Sequence, residues 1–207
     1  MKVKHFIFST ILLFNIPLTF SQVGVDNVEF QKSDFAIRAQ NQIRVFLENI
    51  PVIAAGNKSE YVINACIENT LKIFSTKAFI EEQNKYTKNR KKRSPREYLY
   101  ALKKRQEKSP IIINFEVIDD ISPDKLKRKV NADGSISYTG KMFFKQYYCV
   151  LDKDFYKEKN LRPDDSCDCA YEDVTDKKVT FEIILTEDQN GQFWVTKITS
   201  IEVMRTV

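Results

Sequence analysis

The chain has 207 residues, with 33 Lys+Arg, 28 Asp+Glu and a net charge of +5. A hydrophobic content of 43% and an aromatic content of 12% exclude a disordered polymer and suit one domain burying roughly 70% of its unfolded surface. Only 5 glycines, and no GxGxxG or Walker-type string, exclude a glycine-cradled phosphate site.

The first segment reads as a secretory signal. Lys2 and Lys4 give a positive start, and an apolar run covers residues 6–20. Asn15 and Pro17 interrupt that run, which is short for a membrane span of roughly 20 residues. Thr19 and Ser21 place small residues where a signal peptidase reads, so cleavage is expected between Ser21 and Gln22; the alternative is an uncleaved anchor. No cysteine follows to carry a lipid anchor. The expected layout is a signal peptide over 1–21, a lead-in and helix over 22–57, and the main domain over 58–207. The expected location is exported, periplasmic or extracellular, with no transmembrane segment after cleavage. Loss of Lys2 and Lys4 lowers the net charge from +5 to +3. The single histidine, His5, leaves with them. Ser-His-Asp, Cys-His and His-metal chemistry are then excluded.

Residues 33–50 carry Phe35, Ile37, Ile43, Phe46, Leu47 and Ile50 near the 3.6-residue period, so a helix is expected to end before Pro51. A second helix is expected from Lys58 or Ser59 to Phe74, on an apolar stripe wide enough to pack on a sheet. Residues 78–94 are aperiodic and increasingly basic. Ser94, Pro95 and Glu97 spell a capped helix start, and the helix runs to about Glu107.

After Pro110 the period drops toward two. Ile111, Ile113, Phe115 and Val117 alternate as a strand, and residues 126–130 suit a short edge strand guarded by its cations. Ala132, Asp133, Gly134 and Ser135 turn a hairpin into a long strand over 137–151. Residues 152–177 read as an acidic, irregular loop. Val179, Phe181, Ile183 and Leu185 alternate again, Asn190 and Gly191 turn the chain, and a last strand spans 193–203. Its apolar phase slips between Ile198 and Ile201, which calls for either a β-bulge or burial of both faces. Helices followed by hairpin-linked strands predict an α+β fold: N-terminal helices packed on a curved antiparallel sheet.

The stripe over 62–74, the helix start over 94–102 and the closing hairpin over 179–185 and 193–203 resemble the nuclear transport factor 2-like (cystatin-like, cone-shaped) superfamily. The strings Phe143, Phe144, Lys145, Gln146, Tyr147 and Tyr171, Glu172, Asp173, Val174, Thr175 are similar to exported bacterial members. The resemblance covers roughly 58–205 and implies a cone enclosing a pocket. Its enzyme members commonly set an Asp–His pair, or an Asp with tyrosines, inside the cone, and others are non-catalytic binding or dimerising domains.

Tyr100, Phe143, Tyr147, Phe181 and Trp194 are candidates to line such a pocket, against a reading of plain core packing. Residues 85–108 hold 11 Lys/Arg against 2 Glu, centred on Arg90, Lys91, Lys92 and Arg93, which could meet an anionic surface or simply be solvated. Cys66 sits on an apolar helix stripe, whereas Cys149 is expected to pair with Cys167 or Cys169 in an oxidising compartment. No metal site and no cofactor are expected. The favoured function is a non-enzymatic exported domain that binds a small apolar ligand or a protein partner, as a homodimer through its open sheet face, with no nucleic-acid partner. The alternatives are a histidine-free acid/base enzyme built on Asp/Glu and Tyr, and an envelope module docking through the basic segment.

Overall fold

The computed structural model describes residues 25–86, 88–151, 169–189 and 191–207. The expected signal peptide, Cys167 and most of the expected acidic loop lie outside these residues. The elements are α1 (Val25–Ala55), α2 (Glu60–Lys72), β1 (Phe74–Gln83), β2 (Arg90–Arg93), α3 (Pro95–Gln106), β3 (Ile111–Asp119), a 3-10 turn (Pro123–Lys125), β4 (Lys127–Val130), β5 (Ile136–Leu151), β6 (Cys169–Asp188) and β7 (Gly191–Thr206). Among the described residues three helices pack on one curved, unclosed sheet, so the fold class is α+β as expected.

The sheet order is β2-β1-β7-β6-β5-β3, with β4 paired to β5 outside that path. It is mixed rather than purely antiparallel, because β1 runs parallel to β7. That pairing explains why residues 74–83 do not read as a strand: their partner is far along the chain and no hairpin signal announces it. Helix α2 stops at Lys72, and Phe74 already belongs to β1, edge-on to Phe46 at 5.9 Å between ring centres.

Helix α1 continues through Pro51 to Ala55 instead of stopping at Ile50. Proline forfeits one backbone hydrogen bond there. Burial of Ile53 and Ala54, both 0% exposed, offsets that loss. Phe35, Ile43, Phe46 and Ile50 put α1 into the same core as Ile67, Leu99, Phe144, Phe181 and Ile198.

Helix α3 begins as its sequence predicts. Ser94 Oγ accepts from the Glu97 amide at 3.2 Å, and the Glu97 carboxylate accepts from the Ser94 amide at 2.9 Å. Ser94→Ala removes one half of this reciprocal cap. It should cost about 1 kcal/mol, seen as a lower urea midpoint with an unchanged slope.

On β7 the phase slip is a bulge. Thr180 faces Ser200 while Phe181 faces Ile198, so Thr199 is the extra residue and Ile198, Ile201 and Val203 all reach the core. Gly140 on β5 is required by close approach, since any Cβ there would overlap the Phe181 ring. At the 132–135 hairpin, Gly134 takes φ +80°.

Candidate functional site

The inward face of β6 changes character along its length. Val179, Phe181 and Ile183 are buried in the apolar core. Two residues at a time toward the N-terminus, the same face continues as Lys177, Thr175, Asp173 and Tyr171. Strand β5 does likewise, passing from Met142 and Phe144 to Gln146, Tyr148 and Val150. Where both faces turn polar, a cavity of about 380 Å³ opens. Glu82, Gln83 and Asn84 from β1 and its exit, Asn89, Lys91 and Arg93 from the β2 side, and Tyr98, Leu102 and Arg105 from α3 complete its wall.

Lys177 is the innermost cation, only 5% exposed. Its Nζ donates to the Glu81 carbonyl at 3.3 Å and lies 5.9 Å from the centre of the Tyr98 ring. Among the described residues it has no carboxylate within ion-pair distance. Burial pulls its pKa down to about 8, and the more distant charges of Glu82, Asp173 and Glu81 only partly restore it. Asp173 is also buried, and its carboxyl is pushed up by desolvation. Tyr171 Oη donates to Asp173 Oδ2 at 2.6 Å. Burial raises both the Tyr98 and the Tyr148 phenols, and the Asp173 carboxylate adds to the effect of burial on Tyr171.

A second set of groups braces the wall. Glu82 pairs with Arg93 and, at 3.5 Å, with Arg105. Glu81 accepts from the Val203 amide at 3.1 Å and meets Arg90 and Lys92 at 3.8 and 3.7 Å. Lys85 lies over the Tyr171 and Tyr86 rings at 5.3 and 5.4 Å. Gln83 gives its amide nitrogen to the Lys88 carbonyl, while its buried Oε1 receives no hydrogen bond from a described residue.

None of Tyr100, Phe143, Tyr147, Phe181 and Trp194 is among the residues lining this cavity. Phe181 is fully buried in the apolar core, and Trp194 packs on Phe35 at 4.8 Å. Tyr100 is exposed on α3 beneath Arg96. Phe143 and Tyr147 lie on the outer face of β5, where Tyr147 Oη donates to Glu116 at 2.6 Å. The inward residues are their neighbours Phe144 and Tyr148, one register step away. Residues 169–177 fall within the irregular loop that the sequence predicts over 152–177. As a strand, that segment puts Asp173 inward. The usable signal was the alternation of Tyr171, Asp173, Thr175 and Lys177 in phase with Val179, Phe181 and Ile183.

The basic centre Arg90, Lys91, Lys92 and Arg93 is a short edge strand on β1, not a loop. Arg90, Lys92 and Arg93 face Glu81 and Glu82, whereas Lys91 and Arg93 line the cavity. Cys149 is bonded to Cys169, with their Cα atoms 5.6 Å apart, and the bond ties β5 to β6 beside Tyr148 and Tyr171. Cys66 is a free, half-buried thiol. Among the described residues no helix is long and apolar enough to cross a membrane, and no cluster of His, Cys, Asp and Glu could hold a metal ion.

No family model and no curated protein matches this chain. Solved structures similar to it include an assigned aromatic ring hydroxylase from Novosphingobium aromaticivorans, at 10% identity and a TM-score of 0.42, over 84% of this chain and 93% of that one. A protein from Catenulispora acidiphila is similar at 7% identity and a TM-score of 0.40, over the same 84% and 93%. The epoxide hydrolase/cyclase-like enzyme SalBIII, of salinomycin pyran-ring formation, is similar at 14% identity and a TM-score of 0.29, over 79% of this chain and 89% of that one.

Proposed function

We propose that this chain is an exported binding protein whose cavity takes a small polar ligand bearing an anionic group. The carrying observation is the composition of the wall: Lys91, Arg93, Arg105 and Lys177 against only Glu82 and Asp173. An apolar ligand would desolvate Lys91 and Lys177, which pair with no described carboxylate, at a cost of about 1–3 kcal/mol each. A carboxylate or phosphate answers them, the unpaired Gln83 oxygen accepts a ligand donor, and the Tyr98, Tyr148 and Tyr171 rings cover its apolar part. Export is supported by the Cys149–Cys169 bond, of a kind that persists in oxidising compartments.

A thermal-shift screen of small carboxylates, phosphates and neutral apolar compounds tests this reading. Stabilisation should be confined to anions and should fall with salt. Arg105→Gln leaves Glu82 paired with Arg93 and should weaken the best hit about tenfold, the worth of one charge-assisted hydrogen bond. Salt-insensitive binding of neutral apolar compounds alone would overturn it.

A second reading, a histidine-free acid/base enzyme, is favoured by the Tyr171–Asp173 hydrogen bond inside the cavity and by the upward-shifted Asp173 carboxyl. A desolvated carboxyl hydrogen-bonded to a phenol is suited to take up and return a proton. Asp173→Asn should retain anion binding and abolish any catalysed hydrogen exchange into a bound ligand, followed by NMR in D2O.

A further inference from the structure

We propose that Lys177 is a reactive amine that captures the carbonyl group of its ligand as a protonated Schiff base, so the ligand is an aldehyde or ketone that also carries an anionic group. This rests on the anion-binding reading of the cavity and names the ligand's second functional group.

The geometry singles out this lysine. Among the described residues, other lysines extend to solvent, cap a carbonyl as Lys197 does at Lys72, lie over aromatic rings as Lys85 does, or pair with carboxylates, as Lys103 does with Glu60 at 2.8 Å and Lys178 with Glu202 at 3.0 Å. Lys177 reaches the cavity from the middle of a paired strand, so its stem is positioned by the sheet. Its amine is held by one long hydrogen bond to a backbone carbonyl and by no described carboxylate, so its nitrogen can be freed at little cost. Glu81 and Glu82 face it from β1, Tyr98 from α3 and Asp173 from its own strand. Both glutamates are already occupied by arginines and Lys92 on the β2 side and α3. Burial holds a larger neutral fraction of this amine than of a surface lysine, on the order of a hundredfold more at pH 8 for a group titrating at about 8 rather than 10.5.

The chemistry balances without an outside reactant. The neutral Nζ lone pair attacks the carbonyl carbon and forms the C–N bond, while the π pair moves to oxygen. Transfer of a proton from nitrogen to that oxygen gives a carbinolamine. The nitrogen lone pair then forms C=N as the hydroxyl leaves with a proton as water, giving the iminium ion. Asp173, on the same inward face and hydrogen-bonded to Tyr171, is the cavity carboxylate that can take the proton Lys177 releases on becoming neutral and return it to the departing hydroxyl. Lys91 and Arg105 are placed to hold the ligand's anionic end.

The probe is 4-formylbenzoate with sodium cyanoborohydride at pH 8, using the full chain, with peptide mapping of the reduced adduct. Lys177 should be modified about tenfold faster than any surface lysine, its larger neutral fraction being partly offset by the weaker nucleophilicity of a less basic nitrogen. Lys177→Arg, which keeps a cation but cannot form the imine, should lose that adduct and keep its circular dichroism spectrum. Labelling spread over surface lysines with Lys177 spared would overturn the proposal. The isostere 4-methylbenzoate separates the two readings. Salt-sensitive binding of it, without a Lys177 adduct from the aldehyde, removes the amine chemistry and leaves the anion site standing. Absence of both binding and adduct removes both.

Discussion

Replacing Lys177 with methionine should stabilise the folded chain at neutral pH by about 2 kcal/mol, and the gain should fade as the pH rises from about 8 to 10.5. In the unfolded chain this amine ionises near 10.5, whereas in the fold it ionises near 8. Between those values the unfolded state binds more protons, so stability rises with pH there. Below about 8 the native state carries the whole cost of a buried cation, and above 10.5 both states are neutral and the cost is gone. A shift of this size corresponds to about 3 kcal/mol. The favourable charges of Glu82, Asp173 and Glu81 are already contained in that shift. What methionine gives up besides is the hydrogen bond that Nζ donates to the Glu81 carbonyl, worth about 1 kcal/mol. Methionine keeps an unbranched apolar stem in the same space. Urea unfolding of both proteins at pH 7 and pH 10 measures the effect. A variant less stable than wild type at pH 7 would show that the cation supports the fold instead of burdening it. A residue that costs stability where it stands, yet lines a cavity, is what a functional site leads one to expect.

Reduction of the Cys149–Cys169 bond, or Cys149→Ser with Cys169→Ser, should lower stability by about 3 kcal/mol. The bond closes a segment of sequence separation 20, and releasing it returns chain entropy to the unfolded state. The native cost is local as well. Tyr148 and Val150 flank Cys149, and Tyr171 lies two residues beyond Cys169, so the bond fixes one end of the cavity wall. The serine pair should therefore weaken anion binding along with stability. Urea titrations with and without reductant check the first effect, and the thermal-shift response to the best anion checks the second. A change in stability under about 1 kcal/mol would mean that closing this loop restricts the unfolded chain much less than its length implies.

The features legible in sequence are those encoded within a few neighbouring residues. The Ser94–Glu97 box, the Gly134 hairpin, the alternation of Val179, Phe181 and Ile183 and the phase slip on β7 all depend on local geometry; the structure has each of them, and it decides that the slip is a bulge and not burial of both faces. The β1 strand was not legible, because its parallel partner is β7. Nor was the continuation of α1 past Pro51, which rests on burial of Ile53 and Ala54. The cavity between β1, β5, β6 and α3 is lined by residues other than the five aromatic candidates for a related reason. Large aromatic residues mark a core, whereas the cavity is lined by polar side chains that in sequence look like a solvated loop.

By itself the sequence determined the α+β class, the order and type of most elements, and a cysteine able to reach across to Cys149. Periodicity, caps and turns act over three or four residues, so they survive without knowledge of the rest of the chain. Only the tertiary structure decided that Asp173, Thr175 and Lys177 face inward and that β1, β2 and α3 bring Glu82, Arg93 and Arg105 to meet them. Whether a lysine is a solvated charge or a buried amine depends on what packs above its strand, and those neighbours come from distant parts of the chain.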